Sequence, residues 1–392
     1  MNTPLLRMKK TSLVLIAALL VWSLMTPLPA YAGTRYETGI STSASLLWMN
    51  KKDLNNRLKD IRALGTTWIR VDFSWSAIQP DSPTEYRWDM YDRVVKAAGQ
   101  HGLKVLALIG YTPQWARDAR CHAVAVNEGA AQKCSPRSSE EFGRFARAAA
   151  DRYSDKSVRG WEIWNEPNLS AYWKTIQTDG TLFVDPVAYA QVANAAATEI
   201  RRHTDAAIIT GGLAPLFEPQ RSVGMRQSDY LAQLIPHLAR DVFNGVGIHP
   251  YSWPVLPGRV ASFNAFYTVD NGRSEYNLRT IMEKTGWGDK EIWGTEYGAS
   301  TKGRRRATGH PTQQQRPDHV TEDTQAQIIT QGMNDWYGKP NVGPLFIHAD
   351  SDRWLSAGKN EDGFGLRRQD GTKKPAYESL KAAAQQLPSK AR

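Results

Sequence analysis

Two glutamates stand where short apolar stretches end. Glu166 falls in WEIWNEPN, residues 161–168, and Glu296 in IWGTEYG, residues 292–298, so 130 residues separate them. Pro167 disfavours helical backbone at Glu166, and the chain is expected to leave its strand extended there. Trp161 and Trp164 are expected to wall the Glu166 carboxyl. Apolar walls disfavour the charged form and raise the pKa, which suits a group that donates a proton near neutral pH. Asn165 adds a neutral donor and acceptor beside it. Two carboxyl groups flanking one acetal can cleave it: one protonates the leaving oxygen, the other attacks the anomeric carbon or activates water. A lone strand-end glutamate is more often an ordinary ion-pair member. The pairing of two, each in aromatic surroundings, carries the weight.

These positions require a scaffold that brings distant strand ends together. Short apolar segments fall at 36–42, 67–73, 103–110, 159–165, 206–213, 243–250, 290–296 and 344–349, with longer amphipathic segments between them. That alternation predicts βα units around a parallel sheet. Leu54, Leu58, Ile61 and Leu64 recur at helical spacing, with Gly65 placed to end the helix. Ser138 and Glu141 have capping-box spacing. Asp185-Pro186 supplies an N-cap and a first-turn proline, Thr321 opens another helix, and Lys374 to Leu387 reads as a closing one. Eight units predict an α/β fold, a single-domain (β/α)8 TIM barrel over 33–392. A doubly wound open sheet is the alternative, but no glycine-rich phosphate loop follows the first strand. Long loops near 112–137, 167–184, 214–226, 251–270 and 297–320 all follow strands, so they gather on the C-terminal face, where barrel chemistry sits. The fourth and seventh strands then bring Glu166 and Glu296 face to face. Strict alternation places Glu162, Trp164 and Glu166 on one side of their strand and Asn165 on the other. For Asn165 to share the site, the strand must bulge or end there.

The chain of 392 residues has a net charge of +10 and 14 tryptophans. Arg7, Lys9 and Lys10, an apolar run from Ser12 to Met25, and Ala30-Tyr31-Ala32 have the order of a secretory signal peptide cleaved after Ala32. An uncleaved anchor is the alternative. The run falls short of the roughly 20 residues a membrane span needs, so no stable membrane insertion is expected after cleavage. The destination is outside the cell, in a periplasm or at the cell surface. Cys121 and Cys134 enclose a polar segment and are expected to form a disulfide in that compartment. No nucleic-acid motif is present, and Arg304-Arg305-Arg306 reads as a solvated loop. No metal or other cofactor is called for, and a monomer is expected.

WEIWNEPN and IWGTEYG resemble the acid/base and nucleophile motifs of clan A retaining glycoside hydrolases, closest to family 39, with family 5 as a neighbour. The likeness runs from about 36 to 380. WIRVDFSWSAIQP followed by YRWDMYDRVVKAAGQHGLKVLALIGYTPQWA resembles that clan's second and third βα units. GIHPYS resembles its sixth strand end and DGFGLRRQDGTKKPAYESL its closing segment. The resemblance implies Glu166 as acid/base, Glu296 as nucleophile and Asn165 as a contact to the sugar 2-hydroxyl. It places Arg70 beside the nucleophile, which it would keep ionised, and lines the same site with His249 and Tyr251, the latter bonding to Glu296. The clan often puts a sugar-stacking tryptophan at the end of the eighth strand. Here that stretch reads Phe346-Ile347-His348-Ala349-Asp350, with Trp354 later.

The other candidates have plainer readings too. Glu162 suits a buried network, Arg70 a core ion pair, and His249 a strand cap before a proline. Trp75, Trp115, Trp173, Trp253 and Trp354 lie in or near the presumed loops of the active face. Each alone could be packing; together they favour a carbohydrate cleft. The expected activity is exported, retaining hydrolysis of a polysaccharide such as an exopolysaccharide or cell-wall glycan, with the β-linkage implied by the resemblance alone. The alternatives are an exo-acting β-xylosidase-like enzyme, transglycosylation, and a non-catalytic glycan-binding barrel.

Overall fold

The computed structural model describes residues 35–121, 127–176, 179–216, 223–257, 277–302, 319–353 and 360–389. The expected signal peptide, the Arg304–Arg306 run and Trp354 lie outside the described residues. Residues Tyr36–Pro388 make one compact body.

Its eight barrel strands are β1 (Thr38–Ser43), β2 (Trp68–Ser74), β3 (Lys104–Gly110), β4 (Val158–Asn165), β7 (Ala207–Gly212), β8 (Gly245–Ile248), β9 (Glu291–Tyr297) and β10 (Val342–His348). All pair in parallel and close in the order β1-β10-β9-β8-β7-β4-β3-β2. The expected (β/α)8 TIM barrel is therefore the fold. Strands β5 (Thr175–Ile176) and β6 (Leu182–Phe183) form a small antiparallel hairpin inside the loop after β4, which apolar periodicity did not foretell.

Alternation along each strand sorts side chains into two cores. On β2, Val71 and Phe73 face outward into the layer between barrel and helices, where Phe73 packs on Tyr91, Tyr153 and Trp161. Trp68 faces inward and meets Trp293, Phe346, Leu106 and Ile209 in a separate apolar plug. The Trp68 and Trp293 rings meet edge to face with centroids 5.6 Å apart. Gly343 is required there, since a Cβ on it would sit 2.3 Å from the Trp293 ring.

The α-helices of the described residues are α1 (Lys51–Ala63), α2 (Trp75–Ile78), α3 (Asp89–Gln100), α4 (Glu128–Ala131), α5 (Ser139–Tyr153), α6 (Pro186–Arg201), α7 (Gln227–Leu234), α8 (Leu278–Lys284), α9 (Glu322–Tyr337) and α10 (Pro375–Gln385). Asp185 caps α6 by accepting from the Val187 and Ala188 amides, and Thr321 caps α9 through the Thr324 amide. The capping box at Ser138 closes on one side only. Ser138 Oγ accepts from the Glu141 amide at 3.2 Å, but the Glu141 carboxylate takes the Arg137 guanidinium instead of reaching back. A cation one turn away offers a stronger partner than a neutral amide.

Cys121 and Cys134 are disulfide-bonded and pack with Ala131 and Ile176 in a satellite cluster. The bridge closes the long loop after β3 on itself, and Ile176 of β5 packs against it.

Candidate active site

The two glutamates stand at the same end of the barrel, and each follows a break in strand regularity. On β4, Trp164 (φ 73°) and Glu166 (φ 45°) both adopt left-handed backbone, uncommon for residues with a Cβ. The turn at Trp164 swings its ring outward against Phe142 and Trp173, with its indole N–H donating to the Tyr172 carbonyl at 2.7 Å. Glu162, Asn165 and Glu166 then all face the barrel axis. This settles the parity conflict: the strand ends in a left-handed step rather than continuing its pleat. On β9, the pairing with β10 advances from Gly294 to Tyr297 while β10 moves from Leu345 to Ile347. The extra residue lets Thr295 and Glu296 both turn inward.

Arg70 organises the cluster. It is almost wholly buried, its Nε and Nη2 engage the Glu162 carboxylate, and Nη2 also donates to Asn165 Oδ1 at 2.7 Å. Its Nη1 donates to Glu296 Oε1 at 2.5 Å and to Ser41 Oγ at 3.2 Å. Glu162 also accepts from the Gly212 amide at 2.9 Å. Glu162 is thus the buried network residue expected, and Arg70 satisfies two carboxylates and an amide at once.

His249 joins the two glutamates. Its Nδ1 lies 2.8 Å from Glu166 Oε1 and 3.8 Å from Glu296 Oε2. These two oxygens therefore lie at most about 6.6 Å apart, the limit reached if the three atoms were collinear. Tyr251 donates its hydroxyl to Glu296 Oε2 at 2.9 Å. Gly212 makes room for His249, because a Cβ there would lie 2.4 Å from Nε2.

Charge follows from this wiring. Burial alone would raise the Glu296 pKa, but His249, His348, Arg70 and the Tyr251 hydroxyl hold it well below the usual carboxylate range. Burial works against a charged His249, and the Glu296 and Glu166 carboxylates outweigh it and raise its pKa. His348 is lowered to about 4 by burial, against the pull of Glu296.

Several sequence expectations need correction. Trp161 and Trp164 do not wall Glu166; both point into the barrel–helix layer, and an imidazole occupies the place expected for an apolar surface. Trp75 is fully buried, stacked on Phe145, and Trp173 is fully buried between Trp164 and Tyr189, so neither offers a face to a sugar. Trp115 is half-buried, bonded to the Gln79 carbonyl and set edge-on to Trp75, a brace for the loop after β3. Their loop positions suggested exposure, but the loops fold back over the helices. Arg70, Asn165, His249 and Tyr251 do come together around the glutamates.

The site also holds residues that strand-end motifs did not single out. Asp72 follows Arg70 by one full pleat. Lys133 and Tyr172 come from the loops after β3 and β4, and Tyr172 is raised chiefly by the nearby Glu166 charge. Phe364 packs against Tyr251, Trp253 and His348 with centroids 5.4–5.6 Å away, an aromatic surface near the end of β10. The period-two pattern of β2 could have indicated Asp72; nothing local marks the loop residues.

The model of the cellulase family, glycosyl hydrolase family 5, matches residues 31–310. No curated protein matches the chain. Among solved structures, a family 39 glycoside hydrolase from the gut symbiont Bacteroides cellulosilyticus WH2 is similar at 19% identity and a TM-score of 0.62, over 90% of this chain and 64% of that one. A GH39 β-xylosidase from Caulobacter crescentus is similar at 18% identity and TM-score 0.62, over 91% and 73%. A GH5_18 protein from Bifidobacterium longum subsp. infantis is similar at 14% identity and TM-score 0.63, over 91% and 80%. The chain thus spans about 64% of the length of the first of these, and at such identities the likeness is one of fold.

Proposed function

The chain belongs to glycosyl hydrolase family 5, and from that premise we propose that it is an exported retaining hydrolase of a β-linked polysaccharide. The observation that carries the mechanism is the shared contact of Glu166 and Glu296 with one imidazole nitrogen. Retaining enzymes hold their carboxyl groups about 5–5.5 Å apart, inverting ones about 6.5–9.5 Å. The two oxygens nearest His249 lie at most about 6.6 Å apart, so both carboxyl groups can reach one sugar ring, and the retaining spacing fits within that limit.

In the first step a Glu296 oxygen forms a bond to the anomeric carbon as the glycosidic C–O bond breaks, and Glu166 gives its proton to the departing oxygen. In the second, Glu166 takes a proton from water, whose oxygen displaces Glu296 and frees the sugar. The low pKa of Glu296 supports its role as the ionised partner. His249, close to both, feels the charge of each.

Trp48 supports a polymeric substrate. It is 75% exposed, on the turn Ser45–Trp48 that follows β1, at the barrel end where the glutamates sit. A distal aromatic platform serves a chain of sugars rather than a single one. Export is supported by the order of charges and apolar residues in 1–32 and by the Cys121–Cys134 bridge.

The test pairs turnover with trapping. Incubation with an activated 2-fluoro glycoside and peptide mapping is expected to place the label on Glu296. Hydrolysis of microbial polysaccharides and aryl β-glycosides, with product sizes resolved, separates an endo enzyme from a β-xylosidase-like one. A protein that binds glycans but cleaves none would instead be a binding module, and the reading would be abandoned.

A further inference from the structure

The site contains two charged groups that the two-glutamate chemistry leaves unused. Asp72 lies two residues beyond Arg70 on β2, so it enters the barrel on the same side, one layer nearer the mouth. It keeps some exposure to solvent. Among the described residues its hydrogen bond comes from the Tyr111 hydroxyl at 3.4 Å, long for an O–H···O bond. Glu162, one layer deeper, receives the Arg70 fork and a backbone amide. The contrast is specific: the deeper carboxylate is fully served by the protein, while the outer one faces the cleft short of donors. An enclosed carboxylate in that state is completed by donors from outside the protein.

Lys133 is the second group. Its ammonium sits over the Tyr172 ring, 4.0 Å from the centroid, and makes no ion pair among the described residues. Burial lowers its pKa first, and the Glu166 and Asp72 charges oppose that effect. Tyr111, whose hydroxyl reaches Asp72, is followed by Thr112, whose amide donates to the Gln132 carbonyl at 2.7 Å, so Lys133 with Tyr172 beneath it borders the cleft next to Asp72.

We propose that Asp72 and Lys133 clamp neighbouring ring hydroxyls of an uncharged sugar whose anomeric carbon lies between Glu166 and Glu296. Asp72 accepts from the 3- or 4-hydroxyl and Lys133 donates to the adjacent one. This rests on the glycosidase reading above. Lys133 points to hydroxyls rather than a sugar carboxylate because the charges felt beside it, Glu166 and Asp72, are both negative. An acidic sugar placed there would meet two carboxylates for one ammonium.

Acceptance by Asp72 requires its ionised form. Its carboxyl is pushed up to about 6, by burial first, with Glu296 and Glu162 adding to the rise and Arg70 and Arg353 opposing it. Tyr91 of α3, Tyr111, Tyr172 and Lys133 are the remaining titratable groups that face it. The clamp therefore weakens as pH falls through about 6.

The experiment begins with whichever aryl β-glycoside, among the glucoside, xyloside, mannoside and galactoside, the wild type turns over fastest. It compares kcat/KM for that compound and its 3-deoxy and 4-deoxy analogues in wild type, Asp72→Asn and Lys133→Met. A charged hydrogen bond predicts about a 10- to 150-fold preference of the wild type for the parent over one deoxy analogue. Asp72→Asn should lose about that factor on the parent and less than about threefold on the same analogue, the sign of a direct contact. It should also lose the fall in kcat/KM around pH 6. Equal losses on parent and analogues overturn the clamp. So does a wild type indifferent to both deoxy positions, a result that needs no variant to fold. Faster wild-type turnover of the aryl β-glucuronide than of the glucoside, abolished in Lys133→Met, overturns it in favour of an acidic sugar. No turnover of any glycan or aryl glycoside removes the glycosidase reading itself, and the clamp with it.

Discussion

The floor and the rim of the barrel interior are built on the same strands and differ in kind. β2 carries Trp68, then Arg70, then Asp72; β4 carries Gly160, then Glu162, then Asn165 and Glu166; β9 carries Trp293, then Thr295 and Glu296. Each pair of residues rises about 6.6 Å along the barrel axis side of a strand. One such step takes the interior from an apolar plug of Trp68, Trp293 and Phe346 to a network of arginine, carboxylates and imidazole. The plug excludes water from beneath the charges. Poor solvation from below makes each pairing stronger and each loss of a partner more costly. The floor is thus part of the electrostatics of the rim.

The largest expected effect breaks the rim without touching the floor. Glu296→Gln should reduce kcat by roughly 10⁴-fold or more, as removal of a catalytic unit does. Glycan affinity by calorimetry should persist. Glu166→Gln should cost roughly 10²–10⁴-fold on substrates with poor leaving groups, and exogenous azide should restore part of the rate.

Arg70→Met tests the coupling of rim to floor. It leaves Glu162 and Glu296 buried without their shared cation, and about 3–5 kcal/mol of stability should go with it, seen in denaturant unfolding. Arg70→Lys should recover little, since one ammonium cannot serve three partners in the geometry of the guanidinium fork. Trp293→Ala, in the floor, should also cost about 3–5 kcal/mol. At temperatures where it remains folded its KM should stay near that of the wild type. A large KM change would mean that the plug positions Glu296 directly.

Acid sensitivity separates the layers more gently. His348 has a folded pKa of about 4, depressed below its unfolded value by burial. A depressed histidine contributes stability above its unfolded pKa of about 6.5 and loses it as pH falls toward 4. The Tm of the wild type should therefore drop between pH 6.5 and 4 more steeply than that of His348→Gln. The smallest effect belongs to Trp48→Ala: stability unchanged within about 0.5 kcal/mol, as for an exposed side chain. Its KM should rise for long glycans and stay constant for aryl monosaccharides.

Much of this arrangement was legible in the sequence, for reasons tied to individual residues. Short apolar runs located all eight barrel strands, because a strand buried on both faces leaves little room for polar residues. Asp185, Ser138 and Thr321 marked helix starts through their own side chains. Glu166 and Glu296 stood out because strand exits bearing acids in aromatic settings are unusual. The aromatic walls were misjudged. Trp161 and Trp164 are adjacent to Glu166 in sequence, but a left-handed step at Trp164 turns its ring away from the carboxyl. Trp75 and Trp173 are in loop-like sequence and lie in the core, since a loop that folds back over helices reads locally like one that does not.

The sequence by itself determined the strand and helix order, the two acids, and the arginine two residues before Asp72. These are written in periodicity and local chemistry, which neighbouring residues decide. Only the tertiary structure decided that His249 touches both glutamates, that Arg70 serves Glu162, Asn165 and Glu296 together, and that Lys133 borders the cleft next to Asp72. Those contacts join residues 47 to 226 positions apart, through strand breaks at Trp164 and between Gly294 and Tyr297 whose direction depends on how the whole barrel closes.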